Sequence, residues 1–312
     1  MELIKKTNFD FVSKRKIFLL LSAALIIIGV GTTWLEGIDY GIDFLGGTEM
    51  AVAFQKDIKT DEVRGAVEKV AEEAEIKSYG ARNQFLIRIK EVNAASQKIT
   101  ESLKKQFPDN AVTLLKSDRI GPKIGSELRA QAFWAVFLSI VAMLIYVAFR
   151  FEFAFGMAAM VATFHDIIIT FTIGVTLHHL GVINIIVDQT ILAAMLTVVG
   201  YSINDTVVIF DRIRENRELH KGMNFVKMVN LSLNETLSRT IVTGMCTLFV
   251  LLILVFMGGP VLQGFAFMMF LGIVIGTYSS VYIASPFLIW YLEKFKKHDM
   301  TTGTLAPKGV KA

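Results

Sequence analysis

Two neighbouring polar residues, Asn204 and Asp205, interrupt an apolar run of helix length that extends from Gln189 to Phe210. Placing an ionised aspartate at the centre of a membrane helix costs roughly 2.5–3.5 kcal/mol on insertion scales. Such a cost is seldom met without a function, and a carboxyl at this depth can bind and release a proton. Asp205 is therefore the first candidate for chemistry, with Asn204 beside it.

Arg239 is the expected partner of Asp205. It lies in the segment Ser238-Arg239-Thr240-Ile241, which opens a later apolar run on the same side of the membrane. A guanidinium near a carboxyl favours the ionised form, so Asp205 would take up a proton when Arg239 moves away. Two other interpretations stay open: Asp205 could simply hydrogen-bond to a neighbouring helix, and Arg239 could be an ordinary charge that sets topology.

His165 and Asp166 are a second polar pair within an apolar run. Asp166 could belong to a proton relay, or it could tie two helices together, and the sequence favours neither. His178 and His179 are adjacent, so they do not share a helix face and do not predict a metal site.

The elements that hold these residues are membrane helices. The chain has 312 residues, of which 53% are hydrophobic, and its mean hydropathy is +0.53. These values are typical of a protein with several spans. Segments near or above the ~20 residues needed to cross a bilayer predict six transmembrane helices, approximately over 17–35, 130–149, 154–177, 186–210, 240–257 and 264–292.

Two features refine the last spans. Gly258-Gly259-Pro260 predicts a tight turn between the fifth and sixth helices, and Pro286 predicts a kink or local break within the sixth. Small residues around Gly272 and Gly276 favour close helix packing. The segment 211–238, between the fourth and fifth spans, mixes apolar and basic residues and predicts an amphipathic helix lying on the cytoplasmic surface.

Lysine and arginine set the predicted orientation. They are concentrated in the N-terminal tail (1–16), the segments after the second and fourth spans, and the C-terminal tail (293–312), whereas the loops 178–188 and 258–263 have none. The positive-inside rule therefore places both termini in the cytoplasm and the long segment 36–129 outside.

Segment 36–129 predicts a small α/β domain. Its periodicity gives the order strand, helix, strand, strand, helix, strand, which suggests a ferredoxin-like βαββαβ sandwich. The predicted elements are Thr48–Phe54, Thr60–Ala74, Glu75–Tyr79, Gln84–Ile89, Ala94–Phe107 and Val112–Leu115. About 80 residues suffice for one modest core and not for a large enzyme pocket.

Several chemistries are missing from the sequence. It contains no Walker A loop, no Gly-x-Ser-x-Gly elbow, no His-Glu-x-x-His helix, no cysteine pair and no dinucleotide fingerprint. We therefore expect no enzyme, no metal and no organic cofactor. An ion gradient, of protons or of sodium, would then have to supply the work, and one charge crossing 100 mV is worth about 2.3 kcal/mol.

Five motifs together resemble the SecF family of the bacterial Sec export machinery, within the SecD/SecF group of the resistance–nodulation–division superfamily. The resemblance covers nearly the whole chain up to about residue 297. Its most specific part is Val199-Gly200-Tyr201-Ser202-Ile203-Asn204-Asp205 and the following residues to Asn216. The other motifs are Gly41-Ile42-Asp43-Phe44-Leu45-Gly46-Gly47-Thr48, Ile120-Gly121-Pro122-Lys123-Ile124-Gly125, Ser238-Arg239-Thr240 and Gly276-Thr277-Tyr278-Ser279-Ser280.

The resemblance implies a function in the bacterial cytoplasmic (inner) membrane. The family works with a SecD partner, after the SecYEG channel and the SecA ATPase, and uses the proton-motive force to draw unfolded preproteins outward. YajC and YidC are further candidate partners, beside membrane lipid, and no nucleic acid is expected. The family's proton-path aspartate falls on Asp205 and its functional arginine on Arg239; Asn204 and Asp166 complete the candidate set.

Two rival functions remain at this stage. One is half of a proton-driven exporter of small molecules or lipids from the same superfamily, which would usually carry a much larger outside domain. The other is a passive membrane scaffold, in which the buried polar residues serve only helix packing. Whether Asp205 titrates with the gradient separates the scaffold from the motor.

Overall fold

The computed structural model describes residues 7–71, 74–79, 81–90 and 95–295. The predicted terminal tails therefore lie partly outside the described residues, as does Ala94. In chain order the elements are α1 (Arg15–Glu36), α2 (Ile42–Leu45), β1 (Gly47–Phe54), α3 (Thr60–Val67), β2 (Glu75–Tyr79), β3 (Ala81–Ile89), α4 (Ala95–Gln106), β4 (Val112–Ile120), α5 (Pro122–Arg150), α6 (Phe153–His179), α7 (Gln189–Leu219), α8 (Phe225–Met257), α9 (Gly259–Ser279), a π-helix (Ser280–Ala284) and α10 (Ser285–Phe295).

Six helices in the described part of the chain are long and apolar enough to cross a membrane, as predicted. They are α1, α5, α6, α7, α8 and the continuous α9–π–α10 unit. They are not equally enclosed: 61% of the most apolar stretch of α6 is buried within the chain, against 6% for α5. The centre of the bundle is therefore α6 with α7 and α9, while α5 stands largely apart.

The predicted surface helix over 211–238 is wrong. α7 continues to Leu219 and α8 already begins at Phe225, so the two helices extend as a hairpin. The apolar residues of the segment are buried against the core of the bundle, in a cluster that includes Phe225, Met228, Val229, Leu233 and Ile213. The apolar stripe packs on neighbouring helices instead of lying on a membrane surface.

Both predicted irregularities near the last span are confirmed. Gly258 separates α8 from α9, and Gly259 has φ +71°, a conformation that favours glycine. The π-helix lies just before Pro286, whose ring cannot donate a backbone hydrogen bond. The Ser285 hydroxyl donates to the Ser280 carbonyl at 3.0 Å and so satisfies one acceptor of the widened turn.

The sheet domain, residues 47–120, has one four-stranded antiparallel sheet with the order β2-β3-β1-β4. Its strands and helices follow the predicted sequence of elements. One face carries a core that packs under α3 and α4, and its largest buried members are Met50, Phe54, Phe85, Ile87 and Leu103.

Two element ends differ from the prediction. α3 ends at Val67, where the chain passes into a turn closed by the Val70 N–H and the Val67 carbonyl at 2.9 Å; Val70 is exposed there, although Ala71 is still buried. β4 continues to Ile120, because β1 offers it a hydrogen-bonded ladder down to the Gly47–Ile120 pair. Apolar alternation could not predict that extension, since the added residues are mostly exposed and charged.

A short linker ties the sheet domain to the bundle. The Gly41 N–H donates to the Val187 carbonyl at 2.9 Å, and the Val187 N–H donates to the Asp39 carbonyl at 2.8 Å. At the start of β1, Gly47 has φ +122°, and a Cβ there would lie 2.4 Å from the Ile89 carbonyl oxygen. The linker therefore fixes where the domain begins relative to the loop between α6 and α7.

Candidate functional site

Asp205 lies on the face of α7 that packs against α9, and only 3% of the residue is exposed. The Thr277 hydroxyl donates to its Oδ2 at 3.2 Å. The predicted burial is thus correct, but the neighbour that contacts the carboxyl is a threonine of the last span. Thr277 belongs to a segment that the sequence had marked mainly for close packing.

Arg239 does not form the expected ion pair in this structure. Its side chain is exposed on α8, while the next residue, Thr240, is buried. Among the described residues no salt bridge joins Arg239 to Asp205, whose one described hydrogen-bond donor is Thr277. On this part of α8 it is therefore Thr240, not Arg239, that is enclosed within the bundle.

Asn204 is exposed on α7, whereas Asp205 is buried. Adjacent residues of an α-helix differ by about 100° in direction, so the two side chains leave α7 on different parts of its surface. The structure therefore does not bring Asn204 into the same cluster as Asp205.

Asp166 is the best-connected buried carboxyl in the described structure, with 1% exposure. Its Oδ2 accepts hydrogen bonds from Ser202 on α7 and from Ser279 on α9, the latter at 2.6 Å. Its Oδ1 lies 2.8 Å from Nδ1 of His165. One carboxyl thus links three helices at the centre of the bundle.

The polar chain continues into the first span. Nε2 of His165 lies 2.8 Å from the Ser22 hydroxyl, which lies 2.9 Å from the Tyr278 hydroxyl. Tyr278 in turn donates to the Phe18 carbonyl at 2.6 Å. Sequence reasoning missed Ser22, although it is the only polar residue between Ile17 and Gly31.

The two carboxyls are held by the same pair of helices. Ser202 lies one turn before Asp205 on α7, and Ser279 lies two residues after Thr277 on α9. Close approach of these helices depends on glycine, since a Cβ at Gly276 would lie 3.1 Å from the Ser202 Cβ. The cluster of carboxyls, imidazole and hydroxyls can hold protons and pass them between neighbours.

A second charged group joins the sheet domain to the end of α6. Asp39 accepts hydrogen bonds from Lys77 and from His178 Nε2, the latter at 2.7 Å. Partial burial alone would raise the pKa of Asp39, but the hydrogen bonds from Lys77 and His178 outweigh it and lower the pKa to about 2. Nδ1 of His178 accepts the Ile185 N–H at 3.0 Å, so the ring donates through Nε2.

No three His, Cys, Asp or Glu side chains come together as a possible metal site within the ranges that the structure describes. The bundle and its buried cluster define a polytopic α-helical membrane protein with titratable groups enclosed between its spans. Comparison with known proteins places it more closely. Residues 98–294 match the family model described as protein export membrane protein SecD/SecF, C-terminal.

Curated relatives agree over almost the full length. The chain is 39% identical over 293 residues to protein translocase subunit SecF of Rhodothermus marinus, covering 93% of this chain and 95% of that protein. It is 36% identical over 289 residues to protein translocase subunit SecF of Pseudomonas aeruginosa, covering 92% of each. The chain therefore belongs to the SecF family of protein translocase subunits, which are transport components of the membrane.

Solved structures show the same fold. The crystal structure of SecDF from Thermus thermophilus, a translocon-associated membrane protein, is 34% identical and superposes with a TM-score of 0.83. SecDF in a super-membrane-facing form gives a TM-score of 0.69 at the same identity. This chain spans 40% of the SecDF chain, while 94% of it is covered in the first superposition.

Proposed function

We propose that this chain acts with a SecD partner to couple the proton-motive force to late-stage translocation of preproteins across the bacterial cytoplasmic membrane. The family relationship supports the translocase subunit, and the solved SecDF structures support a SecD-type partner for the part of SecDF that this chain does not span. SecYEG and SecA would act before this step, with YajC and YidC as further partners.

The observation that carries the proposal is the enclosure of Asp205 with a single described hydrogen-bond donor, Thr277. A buried carboxylate without a counter-charge is costly, whereas a protonated carboxyl can remain there. The arrangement suits a neutral Asp205 that becomes ionised only when a cation approaches. Thr277 can accept a hydrogen bond from the acid or donate one to the carboxylate.

Arg239 is the cation that we assign to the ionised state. It is exposed on α8, the helix that follows α7 and packs against it. Loss of the proton from Asp205 would draw Arg239 inward and turn α8 against α7. Protonation would release it again, so the pair forms a two-position switch driven by protons, with sodium as the alternative coupling ion and no further cofactor.

Asn204 and Asp166 have different parts in this proposal. Asn204 faces away from the chain's own bundle, where a SecD partner would lie. Asp166 ties α6 to α7 and α9 and sets the position from which Asp205 moves.

The sheet domain would act outside the membrane, with both termini cytoplasmic. Its four strands in the order β2-β3-β1-β4, all antiparallel, support a ferredoxin-like sandwich. The linker from α1 and the start of α5 attach the domain to the membrane helices, so a rearrangement of the bundle would move it. Such movement would grip or release an emerging, unfolded preprotein.

The proposal is tested by Asp205→Asn in the complete complex with its partner. We expect gradient-dependent export in vesicles to fall at least about tenfold, since an amide of the same shape cannot exchange a proton. Asp211→Asn is the matched control, because Asp211 lies on the same helix but in an exposed ion pair with Arg150. It should retain export within about twofold, as exposed pairs contribute little.

Both variants must assemble with the partner at normal levels before export is compared. Full gradient-dependent export by an assembled Asp205→Asn complex would reject the proton switch and favour a passive scaffold. Export that follows a sodium gradient instead of a proton gradient would assign the other ion to the site.

A further inference from the structure

A donor and an acceptor can be assigned to each hydrogen bond around His165, because every hydroxyl has one proton to donate. The chain of contacts runs from Asp166 through His165 and Ser22 to Tyr278 and the Phe18 carbonyl. A carbonyl oxygen can only accept, so the single hydroxyl proton of Tyr278 is committed to Phe18. This fixes which atom donates in each of the other hydrogen bonds of the series.

Since the Tyr278 proton points to Phe18, Ser22 must be the donor in the 2.9 Å contact with Tyr278. The Ser22 hydroxyl then has no proton left for His165, so it accepts from the imidazole, and Nε2 of His165 carries a hydrogen. At the other side of the ring, the 2.8 Å contact between Nδ1 and Asp166 Oδ1 needs one more proton.

That last proton can sit on either atom. It makes a neutral carboxylic acid beside a neutral imidazole, or a carboxylate beside an imidazolium, and both forms hold the same number of protons. Ser202 and Ser279 donate to the other carboxyl oxygen in either form. All contacts in the chain are hydrogen bonds only while this proton is present.

Removal of the proton leaves the neutral ring one hydrogen for two contacts, and the carboxylate, as the stronger acceptor, takes it at Nδ1. A neutral ring that donates from Nδ1 to a carboxylate must accept at Nε2, so Ser22 would turn its proton to His165. Either the Ser22–Tyr278 contact at 2.9 Å or the Tyr278–Phe18 contact at 2.6 Å would then join two oxygens without a hydrogen. Such a contact is repulsive, so α1 would separate from Tyr278.

We infer that His165 and Asp166 form a second proton-binding site, whose occupancy decides whether the first span is tied to the last through Ser22 and Tyr278. The site is distinct from Asp205, which contacts Thr277. That this proton is used in transport rests on the proposed function. That it is bound by His165 and Asp166 rests on the hydrogen-bond geometry alone. Because α1 leads directly into the linker, the site would couple proton binding to the attachment of the sheet domain.

Among the described residues, the groups that face His165 and Asp166 are hydroxyls, and none is a second carboxylate or imidazole. They are Ser22 from α1, Ser202 from α7, and Tyr278 and Ser279 from α9. Within the described residues, no Lys or Arg forms an ion pair with Asp166, whose only such contact is His165. Tyr282, one turn after Tyr278, stacks on Phe18.

Nitrogen NMR of the full chain in lipid bilayers tests this assignment directly. The histidine rings are labelled with nitrogen-15, and the His165→Gln variant identifies the signals of His165. At neutral pH we expect Nε2 of His165 to carry a hydrogen, in a neutral ring or an imidazolium. A neutral ring with a bare Nε2 and a protonated Nδ1 would overturn the inference.

Two tyrosine variants give the matched comparison. Tyr278→Phe removes the hydroxyl that commits Ser22, so Ser22 can donate to His165 and the form with bare Nε2 should rise at least about fivefold. Tyr282→Phe removes a neighbouring hydroxyl that takes no part in these hydrogen bonds. It should leave the protonation of the His165 ring unchanged. Equal spectra for the two variants would overturn the assignment. The measurement needs neither partner nor gradient, so its failure is separable from failure of Asp205→Asn in export.

Discussion

The two buried carboxyls of the bundle differ in how many partners hold them. Asp166 has three, His165, Ser202 and Ser279, whereas Thr277 is the one described hydrogen-bond partner of Asp205. A fully satisfied polar network fixes the positions of the helices that supply it. A carboxyl with one weak donor can exchange that donor for a cation. While the proton shared with His165 is bound, Asp166 therefore positions the helices, whereas Asp205 is free to exchange Thr277 for a cation.

The hydroxyls on Asp166 should therefore matter for stability. Ser202→Ala and Ser279→Ala each remove one donor to a buried oxygen, and we expect each to lower the free energy of unfolding by roughly 1–2 kcal/mol. The double variant should deviate from additivity, since both serines donate to the same Oδ2 atom. Unfolding by SDS in mixed micelles measures all three.

Ser126→Ala is the control for these variants. Ser126 is exposed on α5 and donates only to the Lys123 carbonyl of its own helix, so its loss should change stability by less than about 0.5 kcal/mol. Serine variants of the Asp166 site that unfold like this control would show that the network does not hold the bundle together.

At the residue scale the sequence predicts how deep a side chain lies in the membrane, but not which neighbouring helix it faces. The position of Asp205 within an apolar run placed it inside the membrane, because a helix rises 1.5 Å per residue whatever surrounds it. The pairing with Arg239 could not be read in the same way, since it depends on how α8 is rotated against α7. Thr277 lies in one of the family-like motifs, but nothing in that motif pairs it with Asp205, and Ser22 carried no signal beyond being a hydroxyl in an apolar run.

At the scale of elements, hydropathy predicted all six spans but not where their helices end. The continuation of α7 and α8 beyond 210 and before 240 depends on mutual packing and on polar contacts such as Arg212 with Glu235 at 2.7 Å. A helix that leaves the membrane has no hydropathy boundary to mark its last residue. The turn at Gly258 and the break before Pro286 were predictable because glycine and proline act locally.

The contact between α7 and α9 should be the least tolerant of added volume. A Cβ at Gly272 would lie 2.3 Å from Cγ2 of Val198, a β-branched side chain with little freedom to move. We expect Gly272→Ala to destabilise the chain by roughly 1–3 kcal/mol and to weaken the link from Ser202 to Asp166. Thermal unfolding in detergent measures the first effect.

Gly200→Ala provides the comparison within the same helix pair. Gly200 lies on α7, and a Cβ there would meet nothing within 4 Å. Since alanine favours helix more than glycine does, the Gly200→Ala variant should unfold at the same temperature as the unmodified chain or slightly above it. If both variants unfolded at the same temperature, close packing at Gly272 would not be what limits the approach of α7 and α9.

At the scale of the whole molecule, much of the apolar surface of the membrane helices is not covered by other parts of this chain. Rings of Phe133, Trp134 and Phe137 pack on one another along α5 but are exposed to the outside of the bundle. Exposed apolar faces of this size are covered by lipid or by a partner. A chain that spans 40% of SecDF is consistent with a face completed by a partner's helices.

The attachment of the sheet domain to the bundle should depend on the charge of Asp39. Its carboxylate joins Lys77 of β2 to His178 of α6. The Asp39→Asn variant loses the charge but keeps the shape, so the linker hydrogen bonds at Gly41 and Val187 should open more often. We expect their amides to exchange hydrogen roughly tenfold faster at pH 6, since a charge-assisted bond is lost at a partly exposed site.

The pH dependence of this effect follows from the lowered pKa of Asp39, about 2 against an ordinary 3.8. The carboxylate's contribution is fully present above 3.8 and is lost as the pH falls through about 2, where Asp39 becomes neutral. The ratio of exchange rates between Asp39→Asn and the unmodified chain should therefore decline toward one near pH 2. Asp57→Asn, an exposed aspartate in the same domain, should give a ratio near one throughout. A ratio for Asp39→Asn that stays constant from pH 6 to pH 2 would mean that the linker is held by its backbone bonds alone.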